Sequence, residues 1–222
     1  MYSRTELLIG KDKLQKIKDA KVIVFGVGGV GGHVCEMLIR AGVQNLTIVD
    51  FDVVDKTNLN RQIIALNSTI GKSKVEIMKA RLLDINPSAN IIAIDKMYTE
   101  ENSAEFFKES YDYVIDAIDT VKHKVHLIKT AKDMGLNIVS AMGAGNRYQI
   151  PKFEVEDLFR THNDGLAKVL RKQLKSVGVS DLKVVYTHQD TFANGGQVGS
   201  IAYYPAMCGC VLSAYVINEI IK

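Results

Sequence analysis

The stretch Lys21-Val-Ile-Val-Phe25-Gly26-Val-Gly28-Gly29-Val-Gly31 decides how the chain folds. Its first five residues are a short β-branched run, and residues 32–41 behind it carry a helical pattern stopped by Gly42. Between strand and helix the glycines satisfy G-x-G-x-x-G. There they let the backbone approach a phosphate at a helix N-terminus. Without those flanks the same glycines would serve equally for close helix-to-strand packing.

Outward from this unit the alternation continues. Residues 46–50 read as a second strand, 73–83 as a helix ended by Asn86-Pro87, 90–95 as a third strand and 113–116 as a fourth. A helix over 122–134 stops at Gly135, and 136–140 make a fifth strand. Strands alternating with helices imply βαβ units: an α/β, Rossmann-like, doubly wound and mostly parallel sheet with helices on both faces. Beyond Pro151 the rhythm changes. A helix is expected over 164–177, closed by Gly178, with strand-like runs around Val184-Val185 and over 201–204. Pro205 stands where a last helix would start. We therefore expect a nucleotide-binding domain over residues 1–150 and a small C-terminal extension over 151–222, continuous with it.

Composition narrows the class. Of 222 residues 47% are hydrophobic and 24% charged, which excludes a disordered or collagenous chain. Against 28 Lys and Arg stand 25 Asp and Glu, so a net +3 leaves no global footprint for nucleic acid. Three cysteines, Cys35, Cys208 and Cys210, lack C-x-x-C pairing; we expect no zinc, no disulfide framework and a reducing, cytoplasmic setting. The span 191–218 has no charged residue, but its glycines and Pro205 divide it, so it reads as a buried helix and not a membrane segment.

Asp50 closes the second strand 19 residues beyond Gly31, where a carboxylate accepts hydrogen bonds from ribose hydroxyls. Asn58, Arg61 and Gln62 follow, then Lys74 at a helix start, then Asp119-Thr120 after the fourth strand. Alone, Arg61 and Lys74 would be surface charges, and Asp119 a helix cap. Together, in order after a glycine fingerprint, cations and a carboxylate at strand ends suit a triphosphate and its Mg²⁺.

These motifs resemble the ubiquitin-activating-like adenylyltransferase superfamily, which includes activators of the sulfur carriers for thiamine and molybdopterin synthesis. Within it, Ser3-Arg4-Thr-Glu-Leu-Leu-Ile-Gly10, Thr57-Asn-Leu-Asn-Arg-Gln-Ile63, Asp84-Ile-Asn-Pro87, Asp116-Ala-Ile-Asp-Thr-Val121 and Met142-Gly-Ala-Gly-Asn146 most closely resemble tRNA threonylcarbamoyladenosine dehydratases. The resemblance implies an enzyme that adenylates the threonylcarbamoyl carboxylate of a tRNA adenosine and cyclises it. It assigns Gly26, Gly28, Gly29 and Gly31 with their backbone to the ATP phosphates and Asp50 to ribose. Asn58, Arg61, Gln62, Lys74 and Thr120 go to the triphosphate, and Asp119 to Mg²⁺. Arg4 matches an arginine that reaches a neighbouring subunit's site, which implies a homodimer. A sulfur-transfer protein partner and a bound monovalent cation stay open. The span 186–199 is short beside insertions carried by some dehydratases, so contacts made there are expected to differ.

Cysteine separates the branches. Thioester-forming activators need a nucleophilic cysteine beyond the adenylation domain, and residues 120–207 contain none. Sulfur-carrier activators commonly hold zinc through two Cys-x-x-Cys pairs, absent here. The alternative of a sulfur-carrier adenylyltransferase keeps the same ATP site; an NAD oxidoreductase conflicts with the Asn58, Arg61, Lys74 and Asp119 set; a non-catalytic nucleotide-binding scaffold uses none of the catalytic chemistry.

The helix over 164–177 bears on RNA. Leu166, Val169, Leu170, Leu174 and Val177 fall on one face and Lys168, Arg171, Lys172 and Lys175 opposite. Residues 160–183 hold six basic residues against two acidic, concealed in the global +3, so this stripe is the expected tRNA phosphate contact.

Overall fold

The computed structural model describes residues 1–192 and 196–222. Seven strands form one sheet in the order β3-β2-β1-β4-β5-β7-β6. They are β1 (Lys21–Phe25), β2 (Asn45–Asp50), β3 (Asn90–Asp95), β4 (Tyr113–Asp116), β5 (Ile138–Ala141), β6 (Glu154–Asp157) and β7 (Lys183–Tyr186). All neighbours pair in parallel except β6, which runs antiparallel to β7 at the edge. Val22 to Phe25 are fully buried, as a central parallel strand covered on both faces requires.

Seven α-helices accompany the sheet among the described residues: α1 (Ser3–Ile9), α2 (Lys11–Asp19), α3 (Gly31–Ala41), α4 (Lys74–Ile85), α5 (Val121–Asp133), α6 (Gly165–Ser176) and α7 (Tyr203–Ile220). One apolar core gathers residues of α3, α4 and α7 on one face of the sheet. A second gathers α5 and α6 on the other, with the rings of Phe25, Tyr98 and Phe106 packed against one another. Strand order reverses at β1, whose neighbours β2 and β4 lead to helices on opposite faces. Such a switch point opens a crevice at the carboxyl ends of the strands.

Two backbone contacts fix α3 there. A Cβ on Gly31 would lie 1.7 Å from the Gly26 carbonyl oxygen, and one on Gly209 of α7 would lie 2.7 Å from that of Val30. Glycine is therefore required for α3 to meet β1 and for α7 to cross α3.

Several expectations change. Residues 201–204 do not form a strand: α7 starts at Tyr203, because Pro205 sets its own φ within a first turn and Tyr204 buries its ring there. On α6, Ala167, Leu170 and Leu174 are buried, whereas Val169 and Val177 are exposed, so the apolar face is narrower than its spacing suggested. α1, α2 and β6 add to the predicted elements. The extension past residue 150 joins the main sheet through β7 and β6. Of the short span 186–199, residues 193–195 lie outside the described residues. Among the described residues no helix is long and apolar enough to cross a membrane.

Candidate nucleotide site

A cavity of about 450 Å³ opens at the carboxyl ends of β1, β2 and β4. Gly26, Gly28 and Gly29 line its floor, and their work divides. Gly26 takes φ 89°, with Ala117 too close for any side chain, while Gly28 and Gly29 face the open space. α3 begins behind them with no side-chain cap, which leaves its first amides and the positive end of its dipole for an anion. Gly31, the first residue of α3, is buried beneath, where a side chain would collide with the Gly26 carbonyl.

At the end of β2 the Asp50 carboxylate accepts hydrogen bonds from the Val27 amide at 2.6 Å and the Asp52 amide at 2.9 Å. Both bonds fix its direction, and each oxygen keeps a lone pair for a hydroxyl. Lys74, at the start of α4, is almost wholly buried, yet its Nζ reaches the cavity edge and pairs with Asp52 Oδ2 at 2.7 Å. Arg61 extends over Gly29, its Nη1 donating to the carbonyl of Thr57 and to Asn60 Oδ1, both at 2.9 Å. Gln62 lies against Gly28 with its amide oxygen buried and unpartnered among the described residues. Asp119 and Thr120 close the opposite wall where β4 ends, Thr120 Oγ1 donating to Asp119. The structure thus brings Gly26, Gly28, Gly29, Asp50, Arg61, Gln62, Lys74, Asp119 and Thr120 together.

Asn58 does not line the cavity. Its Oδ1 accepts from the Asp55 amide at 3.0 Å while Asp55 caps Thr57, and its carbonyl receives the Arg61 and Gln62 amides. It shapes the turn that presents Arg61. Arg4 is also outside: it follows Tyr2, whose hydroxyl donates to the Ile39 carbonyl in the last turn of α3, at the end of that helix away from the glycines. On α6, Lys168, Lys172 and Lys175 are exposed, but Arg171 is committed to its own chain, its Nη1 donating to the Thr161 carbonyl at 2.9 Å. Among the described residues no cysteine lines the cavity. Burial pushes Cys208 up to about 12 and raises Cys35 and Cys210 as well, which favours the protonated thiols.

The sequence reading missed part of the wall. Met97 and Tyr98 past β3, His123 of α5, and Ala144, Gly145, Val198 and Ser200 also line the cavity. Beneath the floor, fully buried Lys124 places Nζ 2.8 Å from Asp116 Oδ2 and 3.0 Å from the Ile118 carbonyl, and Ser140 also donates to Asp116. Such a pair fixes the turn that carries Asp119. Asp116 was visible in the Asp-Ala-Ile-Asp motif, but nothing in the local pattern marks Lys124 as buried.

The ThiF family model matches residues 2–222. The chain belongs to the ThiF family. The tRNA threonylcarbamoyladenosine dehydratase of Bacillus subtilis strain 168 is 39% identical to it, the alignment covering 100% of this chain and 94% of that protein. Among solved structures, the Escherichia coli tRNA N6-threonylcarbamoyladenosine dehydratase in complex with AMP superposes with a TM-score of 0.92. It is 33% identical over 98% of this chain and 92% of that one. The same E. coli enzyme in complex with ATP gives 0.93 at 33% identity, over 99% and 93% of the two chains.

Proposed function

We propose that this chain is an ATP-dependent tRNA threonylcarbamoyladenosine dehydratase. The observation that carries the reading is the convergence of the glycine floor, Asp50, Arg61, Lys74 and Asp119 on one cavity without a cysteine in its wall. The full-length similarity to dehydratases supports it.

The residues divide the chemistry. Asp50 holds ribose and the α3 terminus receives phosphate. A carboxylate attacking the α-phosphorus approaches a polyanion, so Arg61 and Lys74 act by neutralising charge that grows in the transition state. Lys74 exchanges Asp52 for phosphate as ATP enters. The carboxylate oxygen forms a bond to phosphorus and pyrophosphate leaves. A ureido atom of the same side chain then attacks the acyl carbon, AMP leaves, and a proton is lost, a net loss of one water. Oriented intramolecular attack reaches effective molarities of about 10⁵ M or more, so ring closure needs no enzyme thiol.

Asp119 fits Mg²⁺. It is an exposed hard oxygen donor in the phosphate cavity, and no cluster of three or more ligating side chains occurs among the described residues. Mg²⁺ is commonly held in this way, by one or two carboxylates together with substrate phosphates. Bound there, the ion would offset phosphate charge.

Two further assignments belong to this reading. The chain works as a homodimer in which Arg4 enters the other subunit's cavity. Supporting this, α1 has no buried residue, and Leu7 and Leu8 are 81% and 83% exposed. The tRNA backbone lies along Lys168, Lys172 and Lys175, with Arg171 supporting the segment instead of facing solvent.

The test is mass spectrometry of nucleosides from threonylcarbamoyladenosine-bearing tRNA incubated with the chain, ATP and Mg²⁺. Loss of one water is expected. No mass change on tRNA that a known dehydratase converts refutes the reading, and pyrophosphate exchange that depends on a sulfur-carrier protein replaces it with the adenylyltransferase alternative.

A further inference from the structure

We propose that the aromatic pair Tyr148 and Phe192 stacks an unpaired base of the tRNA beside the mouth of the cavity; this rests on the dehydratase reading. The two rings lie 4.5 Å apart between centroids at 41°, and they are 59% and 44% exposed. Two aromatic rings left in water at this position have no role in the core.

Their placement is built. Asn146, in the left-handed region at φ 56°, accepts the Phe192 amide on its carbonyl at 2.6 Å. Its side-chain oxygen accepts the Gly199 amide at 2.6 Å, and its own amide donates to the Gly199 carbonyl at 2.8 Å. Its neighbour Gly145 and the adjoining Val198 line the cavity, so one residue joins the wall to the aromatic pair. Behind Tyr148, buried Arg147 donates to the carbonyls of Gly143 and Gln189, and its guanidinium faces the buried Asp164 carboxylate, the side-chain cap of α6. Gln149 donates to the Asp190 carbonyl, and Asn163 reaches Asp190 from the start of α6. His162 and His188 stack 5.3 Å apart, His188 also meeting Glu154, and the exposed Lys168, Lys172 and Lys175 of α6 make no ion pair among the described residues. Exposed aromatic faces beside a cavity mouth, with unpaired cations on α6, fit a single-stranded nucleic acid.

The substrate requires such a surface. One carbon and a carbamoyl group separate the reacting carboxylate from the adenine, so a carboxylate at the α-phosphorus draws its base out of the stack to the mouth. That base and its neighbours lose stacking partners, which planar side chains replace.

The test uses the full chain with threonylcarbamoyladenosine-bearing tRNA. Tyr148→Ala combined with Phe192→Ala should raise KM for tRNA roughly fivefold to a hundredfold, as loss of one aromatic stacking partner does. Kd for ATP should stay at the wild-type value, and Tyr148→Phe with Phe192→Tyr should restore KM. Should the double alanine variant not fold, Tyr148→Leu and Phe192→Leu, which keep apolar bulk but lose the flat face, carry the same expectation. A wild-type KM in the folded variants overturns the proposal while wild-type conversion of tRNA leaves the dehydratase reading standing. A variant that sediments as a smaller species than wild type overturns it too, by assigning the pair to a contact between copies. An inactive wild-type chain defeats the underlying reading instead.

Discussion

Lys124→Met removes an ammonium from a place where water cannot replace it. Nζ is fully buried, 2.8 Å from Asp116 Oδ2 and 3.0 Å from the Ile118 carbonyl. Breaking a buried ion pair by deleting one partner costs about 3–5 kcal/mol, because the other charge is left uncompensated. Asp116 keeps two donors, Ser140 Oγ at 2.5 Å and the Ile118 amide at 3.1 Å, which places the loss near about 3 kcal/mol, the lower end of that range. For a chain of this length each kcal/mol moves Tm by about 2–4 °C, so thermal unfolding followed by circular dichroism should fall by about 6–12 °C. Adding Asp116→Leu removes the stranded carboxylate, and the pair of changes should cost less than the first alone. ATP affinity should also fall in Lys124→Met, since Ile118 and Asp119 stand in the cavity wall on the turn this pair holds. A single variant with unchanged Tm, or a double variant with simply additive losses, would refute the reasoning.

Glycine positions should separate packing from binding. Gly31→Ala meets the Gly26 carbonyl at 1.7 Å and should lower Tm sharply, whereas Gly28→Ala finds only the Gln62 side chain at 3.7 Å and should weaken ATP binding with Tm preserved; calorimetric titration beside thermal unfolding distinguishes them. Lys74→Met should raise Kd for ATP roughly 10- to 100-fold, the worth of about 1.5–3 kcal/mol for a charged hydrogen bond, measured by the same titration. Burial raises the Glu36 carboxyl, but hydrogen bonds from Arg81 and Arg40 outweigh it and hold it below the usual carboxylate range. Its contribution is therefore fully present above the unfolded value of about 4.3 and lost as pH falls from there through the lowered folded value; the Tm gap between wild type and Glu36→Gln should be wide at pH 7 and narrow progressively in acid. Iodoacetamide at pH 8 should label Cys210 in the native protein well before Cys208 or Cys35, read by peptide mass, and prompt labelling of Cys208 would count against its burial.

How far the sequence carried depends on what each residue reports locally. Strands β1 to β5 stand within two residues of their predicted bounds because buried parallel strands are runs of β-branched residues, whatever their neighbours. The glycine turn, Asp50, Arg61, Lys74 and Asp119 were legible because phosphate and ribose chemistry demands their spacing. β6 was not: Glu-Val-Glu-Asp has no apolar alternation, since the strand lies at the sheet edge with its side chains half exposed. Ile201 to Tyr204 looked like a strand by composition, but packing of Tyr204 into the core decided for helix. Arg171 looked like its lysine neighbours, and only the fold reveals that the Thr161 carbonyl takes its guanidinium. Lys124 and Arg147 defeat local reading: Lys124 turns inward on α5 to meet Asp116 at the end of the preceding strand, and Arg147 meets Asp164 and the Gln189 carbonyl from more distant segments.

The crossing of α7 over α3 has a consequence for synthesis. Ser213 donates to the Val34 carbonyl across 179 residues, and Cys208, Leu212 and Val216 complete the core that α3 begins. The helix behind the phosphate-facing glycines is made well before α7, which covers it. Contacts of such long range form late and slow folding. A nascent chain that already contains every ATP-binding residue therefore still exposes an apolar flank of α3, and competence to hold nucleotide should arrive with residues 203–220 and not with the glycine motif itself.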